Sequence, residues 1–387
     1  MRDAVIVEAV RTPVGRGSPT GALHETHPVD LLARTLQELV QRADLDPELI
    51  DDVVGGCVSQ VGEQSLNITR NAVLAAGLPQ TVPGMTVDRQ CGSSQQAAHI
   101  AAQGVISGAY DIVVACGVES MSRVPKNSGH ARHADPYGSR HASRYSEGLV
   151  GHGISAELIA ARWKVSRAEQ DAYALVSHRR AAAAWEAGEF DREVIWTGMP
   201  DEAVRPDTSA EALASLQPAY YEPELEERFP EIRWHITAGN SSSVGDGAAA
   251  LLIMGEDVAE RLGLRPRARF HSFAVAGDDP LLMLTAIIPA TERVLDRGGL
   301  TLADIDLFEV NEAFAAVVLA WQRETGVDFD QLNVRGGAIA LGHPLGGSGA
   351  RVMTTLLHNL EDRGARYGLQ TMSESGGVAN ATIIERL

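Results

Sequence analysis

The chain has 387 residues, 44% of them hydrophobic and 38 of them Gly, and carries a formal net charge of −18. That length supports a large buried core and two or three domains' worth of structure. So acidic a balance excludes a general nucleic-acid or anionic-membrane surface, which rests on positive charge.

Residues 1–8 read as a buried first strand and lack the charged start and long apolar run of a leader segment. No apolar run reaches the roughly 20 residues of a membrane span. Cys57, Cys91 and Cys116 are too few, and odd in number, for a disulfide framework, which points to a reducing, cytoplasmic setting. Lys occurs at Lys126 and Lys164 alone, so an anionic ligand must be met by Arg or by one of these two.

A helical stretch starts at Asp30, and residues 45–54 lead on towards the loop Asp88-Arg89-Gln90-Cys91-Gly92-Ser93-Ser94. A helix over 95–107 and a strand over 111–115, ending in Gly117, come next. From 121 to 236 the composition shifts towards His, Arg, Pro and Tyr, with one helical stretch over 155–187 and an acidic, proline-bounded excursion at 222–230. This reads as an inserted subdomain.

The first plan then recurs: a helix near Thr291, the stretch 300–308, the loop Gly342-His343-Pro344-Leu345-Gly346-Gly347-Ser348-Gly349, a helix over 349–360 and a strand ending in Gly376-Gly377. Strands alternating with helices predict parallel βαβ units. Duplication predicts that the two loops meet at one edge of paired sheets.

Each of those loops places one reactive side chain at a loop-to-helix junction. A Cys at a helix start lies where free N–H groups and the helix dipole favour an anion, which predicts an accessible thiolate at Cys91. His343 is the side chain suited to take a thiol's proton near neutrality. Alone, each has an ordinary structural reading, as a small buried hydrophobe and as a hydrogen-bonded core His. The run 346–349 is similar to a phosphate-cradling loop, but close passage of the backbone explains it better. His130, His133 and His141 lack the carboxylate or Cys companions of a tetrahedral metal site, so no metal is expected.

The run Cys91-Gly92-Ser93-Ser94-Gln95-Gln96-Ala97, with Gly117-Val118-Glu119-Ser120-Met121-Ser122, resembles the nucleophile region of the thiolase family. The resemblance extends over nearly the whole chain, in family order. It takes in Arg11-Thr12-Pro13, Ala238-Gly239-Asn240-Ser241-Ser242-Ser243, Asp246-Gly247-Ala248-Ala249-Ala250, Asn311-Glu312-Ala313-Phe314 and Gly336-Gly337-Ala338-Ile339-Ala340-Leu341-Gly342-His343-Pro344.

It implies an α/β thiolase fold, two duplicated domains of βαβαβαββ type with an inserted loop domain. Residues 1–120 with 237–264 form the N-terminal domain carrying Cys91, 121–236 the coenzyme A-binding insertion, and 265–387 the C-terminal domain carrying Asn311, His343 and Ser373. It further implies a homodimer or homotetramer acting on coenzyme A thioesters, with no tightly bound cofactor. Cys91 would accept the acyl group and His343 would activate it. Asn311, otherwise readable as a helix cap, would hold a water for the enolate oxygen. Ser242 and Gly376 would contact coenzyme A. Arg205 and Arg228 lie in the insertion, and nothing in the sequence assigns either to a phosphate.

The chain also departs from the family. Where thiolases carry a second Cys, the acid/base for the α-proton, it has Ser373, a far weaker acid than a thiol. Ser375 and Val378 depart too, and Gly151-His152-Gly153 stands where many thiolases have His-Met-Gly. Glu374 and the ending 382–387 resemble actinobacterial degradative thiolases acting on long or steroid-derived chains. The expected reaction is thiolytic cleavage of a 3-ketoacyl-CoA or its reversal. The alternatives are hydrolysis or another transfer of the acyl group, or a non-catalytic subunit that binds coenzyme A thioesters.

Overall fold

The computed structural model describes residues 2–129, 135–195 and 198–387. Its strands are β1 (Ala4–Arg11), β2 (Gly15–Arg16), β3 (Asp52–Gly56), β4 (Met85–Val87), β5 (Ile112–Ser120), β6 (Gly245–Gly255), β7 (Ala268–Gly277), β8 (Leu307–Val310), β9 (Tyr367–Glu374) and β10 (Val378–Arg386). They pair in the order β4-β3-β5-β6-β1-β7-β10-β9-β8, with β2 on β6. Every residue of β5 and of β6 is buried, because both faces of the sheet are covered, so their sequences are continuous apolar runs with no alternation.

The order reads as one plan used twice about the β1–β7 joint, which consists of Val5 opposite Arg269 and Ile6 opposite Ala268. In one half β3 runs parallel to β5, and β5 antiparallel to β6. In the other, β8 runs parallel to β9, and β9 antiparallel to β10. The counterpart of β4 has shrunk to a single parallel bridge from Phe308 to Leu332.

The expectation of parallel βαβ units holds for β3–β4, β3–β5 and β8–β9 and is corrected for the other pairs of these strands, which are antiparallel. The reason lies in the connections. β9 turns into β10 across residues 375–377, too short for a crossover, and β5 reaches β6 through the long excursion 121–244. The single helix expected over 155–187 is two helices, His152–Arg162 and Arg167–Glu186. Lys164 takes a left-handed φ of 53°, and Ser166 opens the second helix with a capping box to Glu169.

Two long helices, Ser93–Ser107 and Ser348–Arg363, lie against the sheet and against each other. Their contact carries Ala97, Ala98 and Ala101 on one side and Ala350 and Met353 on the other. A Cβ on Gly349 would sit 2.2 Å from the Gln95 backbone nitrogen, so only Gly permits this approach. Ser94 Oγ accepts the Ala350 N–H at 2.9 Å and fixes the register. The N-terminal ends of both helices, and with them the Cys91 and His343 loops, are thereby brought side by side.

Candidate active site

Cys91 precedes Gly92, the N-cap of the helix Ser93–Ser107. It is buried in a small apolar cluster with Met121, Leu345, Val352 and Met372. Burial pushes its thiol from the ordinary 9.0 up to about 12; Lys126 opposes this, and Glu374 and Glu119 add to it. The expected accessible thiolate is therefore corrected. That rise corresponds to about 4 kcal/mol, against about 1 kcal/mol from a helix N-terminus. At rest the group is a thiol. Cys57 and Cys116 are also buried and free, and burial pushes both thiols up.

His343 is held by its backbone, its N–H donating to Ser243 O at 2.8 Å. Its ring is oriented by Ser348. The Ser348 hydroxyl donates its one proton to Pro344 O at 2.8 Å, so towards His343 Nδ1, 2.7 Å away, it can only accept. Nδ1 therefore carries the ring proton. Nε2 is left buried with a free lone pair and no protein partner. Burial, assisted by Arg351, Lys126 and His152, lowers the imidazole to about 3, so it is neutral at physiological pH and able to accept a proton.

Asn311 follows β8, and its backbone N–H donates to Thr371 O on β9 at 3.0 Å. Its amide is buried, and neither Oδ1 nor Nδ2 has a partner. The helix-cap reading does not hold: the next helix, Ala315–Thr325, is capped at Phe314. The neighbouring Glu312 points the other way and anchors the loop, accepting from Tyr173, Ser177, Asn333 and the Ile339 N–H at 2.8–3.3 Å. Ser242 donates its backbone N–H to Ala313 O and Ser243 its N–H to Ala338 O, so the segment with Ser242 joins the Asn311 loop to the His343 loop. Ser242 itself is half-buried.

Ser373 lies on β9 two residues beyond Thr371, and its hydroxyl is buried without a partner. Alternation along the strand turns Glu374 to the opposite face. There Glu374 meets the nucleophile loop so closely that a Cβ on Gly92 would lie 1.7 Å from its Oε1. Both Glu374 oxygens are buried and unpartnered, and burial, opposed by Arg89 and reinforced by Asp88, pushes the carboxyl well above its ordinary range.

Ser375 and Gly376 begin the turn. Gly376 is exposed at a φ of 86°. Ser375 Oγ lies 2.5 Å from His152 Nε2, a side chain that arrives from the inserted segment. Arg11, from the first quoted motif, is buried far along β1 and pairs with Glu193 and Asp201, a structural task.

Sequence reasoning missed three positioning groups. Ser348 fixes the tautomer of His343. Glu119 accepts from the Val58, Ser59 and Gly346 N–H groups and from Gln64. Ser375 holds His152. Spacing offered a signal for the first, because a Ser five residues after a His at a helix start can cap back onto the ring. It offered none for the other two, which depend on packing between distant segments. Gly346 bears out close passage of the backbone: a Cβ there would lie 2.6 Å from Cys57 Cα. His130 and His133 fall outside the described residues, and His141 is half-buried, stacked on Tyr137 and tilted against Tyr145. Among the described residues no group of side chains has the make-up of a metal site, and no helix is long and apolar enough to cross a membrane.

Comparison with known proteins places this geometry in context. Residues 4–257 match the family model for the thiolase N-terminal domain, and 264–386 that for the thiolase C-terminal domain. The whole chain aligns at 46% identity with 95% of a steroid 3-ketoacyl-CoA thiolase of Mycobacterium tuberculosis. It aligns at 44% identity with all of a 3-ketoacyl-CoA thiolase of Cronobacter sakazakii. The crystal structure of the Bacillus anthracis acetyl-CoA acetyltransferase superposes with a TM-score of 0.88 at 36% identity, covering 100% of this chain and 99% of that one.

Proposed function

We propose, from the premise that this chain belongs to the thiolase family and has its fold, that Cys91, His343, Asn311 and Ser373 form the active site of a 3-ketoacyl-CoA thiolase. The chain is an acyltransferase of that family, and thiolases use coenzyme A thioesters as substrates. The observation that carries the assignment of residues is the fixed tautomer of His343, which leaves a neutral Nε2 lone pair among buried polar atoms that no protein group satisfies. Buried polar atoms without partners are rare unless a ligand or a reaction supplies the partner.

Cleavage then runs as follows. Nε2 takes the Cys91 proton, and the thiolate attacks the 3-keto carbon. The C2–C3 bond breaks, its electron pair passing into the enolate of a two-carbon thioester, which takes at C2 the proton removed from Cys91 and leaves as the two-carbon coenzyme A thioester. Asn311, through an ordered water, and protonated His343 hold the developing oxygen charge, preorganised donors of the kind worth several kcal/mol. Coenzyme A then attacks the acyl-Cys91 thioester and releases the shortened acyl-CoA. Ser242, half-buried in the segment that joins the loops of Asn311 and His343, and Gly376, exposed on the turn after β9, would contact the pantetheine arm.

We assign the N-terminal domain to 1–120 with 237–264, the coenzyme A-binding insertion to 121–236 and the C-terminal domain to 265–387. The similarity to a steroid thiolase supports a bulky acyl chain. A homodimer or homotetramer in the cytoplasm is the matching assembly. β4 ends the sheet with an open edge, and beside it Leu66 is 87% exposed, an edge that a second copy would cover.

The test is an assay of the purified protein with free coenzyme A and acetoacetyl-CoA or a bulkier 3-ketoacyl-CoA, with mass mapping of the acylated Cys. Release of acetyl-CoA, with the acyl group trapped on Cys91 and no turnover by Cys91→Ala, is expected. Hydrolysis without acetyl-CoA, or binding without acylation, would replace this reading with the acyl hydrolase or the silent binding subunit.

A further inference from the structure

Ser373 leaves the site without an obvious acid/base for the α-carbon, and the structure brings another group to the turn that follows it. Ser373 is the last residue but one of β9, Glu374 is turned to Gly92, and Ser375, two residues past Ser373, opens the turn to β10. Ser375 Oγ is bonded to His152 Nε2 at 2.5 Å. The imidazole of His152, brought in by the first residue of the helix His152–Arg162, is thus held at the turn two residues past Ser373. That helix is anchored by Ser155, whose hydroxyl donates to Leu281 O at 2.8 Å. His152 is close enough to His343 to help hold that ring neutral, and Lys126 is the cation that bears on Cys91, His152 and His343 together.

Resting on the thiolase reading above, we infer that His152, positioned by Ser375, is the group that exchanges the α-proton of the two-carbon thioester in this chain, in place of a second catalytic thiol. Burial lowers His152 to about 4, so the unprotonated ring is ready to accept a proton, and its imidazolium is a strong acid once formed. In condensation, His152 takes a proton from C2 of acetyl-CoA. The C2 electron pair forms the bond to the acyl carbon, and the Cys91–acyl bond breaks to leave a thiolate, which regains the proton from the imidazolium by way of His343. In thiolysis the Cys91 proton travels the other way, through His343 and His152 to C2. The coenzyme A thiol then supplies the proton that returns to Cys91, so each cycle balances with no external reagent.

The deciding measurement is solvent deuterium incorporation into the methyl group of acetyl-CoA, read by mass spectrometry. This reports the α-proton step without carbon–carbon cleavage. It is run beside thiolysis and Cys91 alkylation by iodoacetamide, for wild type, His152→Gln, Ser373→Cys and the double variant. His152→Gln is expected to lower deuterium incorporation and thiolysis by at least about tenfold, the lower range for a positioned acid/base, with Cys91 alkylation unchanged within about threefold. Ser373→Cys is expected to restore the double variant towards the wild-type rate. A merely structural His152 would not be rescued by a thiol at 373.

Deuterium incorporation unchanged in His152→Gln overturns the inference, as does a loss that the thiol fails to restore. If His152→Gln alkylates abnormally, His152→Met is measured by the same criteria. A wild type that neither acylates Cys91 nor cleaves a 3-ketoacyl-CoA defeats the thiolase reading itself. Wild-type cleavage with an unaffected His152→Gln defeats this inference alone.

Discussion

β5 and β9 hold the same place in the two halves of the molecule, each between a parallel and an antiparallel neighbour, and they end in similar words, Val118-Glu119-Ser120 and Ser373-Glu374-Ser375. The two carboxylates have opposite fates. Glu119 accepts from three backbone N–H groups and from Gln64, and through Gly346 it holds the His343 loop of the other half. Glu374 lies against Gly92 in the Cys91 loop and accepts nothing from the protein. Duplication therefore supplied two equivalent positions, of which one became a clamp and the other stayed without a hydrogen-bond partner beside the Cys91 loop. The helix-start serines diverge in the same way. Ser93 Oγ donates to Gln90 O and accepts from the Arg89 N–H, while Ser348 Oγ holds the imidazole of the base.

The largest expected effect breaks the clamp. Glu119→Ala leaves several buried donors unsatisfied, at about 1–3 kcal/mol each, so urea unfolding should show a loss of at least about 3 kcal/mol. Glu374→Ala, which removes no hydrogen bond, should change stability by no more than about 1 kcal/mol. Equal losses would erase the distinction between the two carboxylates.

The serine pair sharpens it kinetically. Ser348→Ala frees the His343 tautomer and should lower kcat for thiolysis by at least about tenfold. Ser93→Ala should cost about 1 kcal/mol of stability and leave kcat within a factor of three. A Ser93→Ala variant as slow as Ser348→Ala would show that the two serines are not functionally divided.

A third test concerns the helix Ser93–Ser107, where burial lowers His99 to about 3 and the ring bonds to Thr382 and Asn380. Its folded value lies below the unfolded value near 6.5, so the unfolded chain binds the extra proton. The stability is complete above pH 6.5 and is lost as pH falls towards 3. Between pH 7 and pH 5 this amounts to about 2 kcal/mol. The drop in unfolding free energy over that interval should be smaller by about that amount in His99→Gln; an identical drop would place the titration elsewhere.

The smallest effect concerns Glu374 itself. Its negative charge, when present, raises the Cys91 thiol, so Glu374→Gln should speed iodoacetamide alkylation of Cys91 in alkaline solution by about two- to threefold. Slower alkylation would show that the carboxyl group aids the nucleophile.

The repeated sheet plan and the family were legible in the sequence because they rest on local signals: Gly-rich junctions, apolar runs and the motifs around Cys91, Asn311 and His343. What misled was also local. A helix start predicted a thiolate at Cys91, and desolvation by Met121, Leu345, Val352 and Met372 outweighed it. Alternating helices and strands predicted parallel pairing, and the short turn from β9 to β10 reversed it.

The sequence by itself determined the family and offered the candidate side chains, because a thiol, an imidazole and an amide are properties of residue type and immediate neighbours. Only the tertiary structure decided their states. The proton on His343 Nδ1, the unused carboxyl of Glu374 and the His152 ring over Ser375 each arise from segments far apart in the chain. Hydrogen-bond satisfaction and desolvation are set by what is packed nearby, and spacing along the chain does not record that.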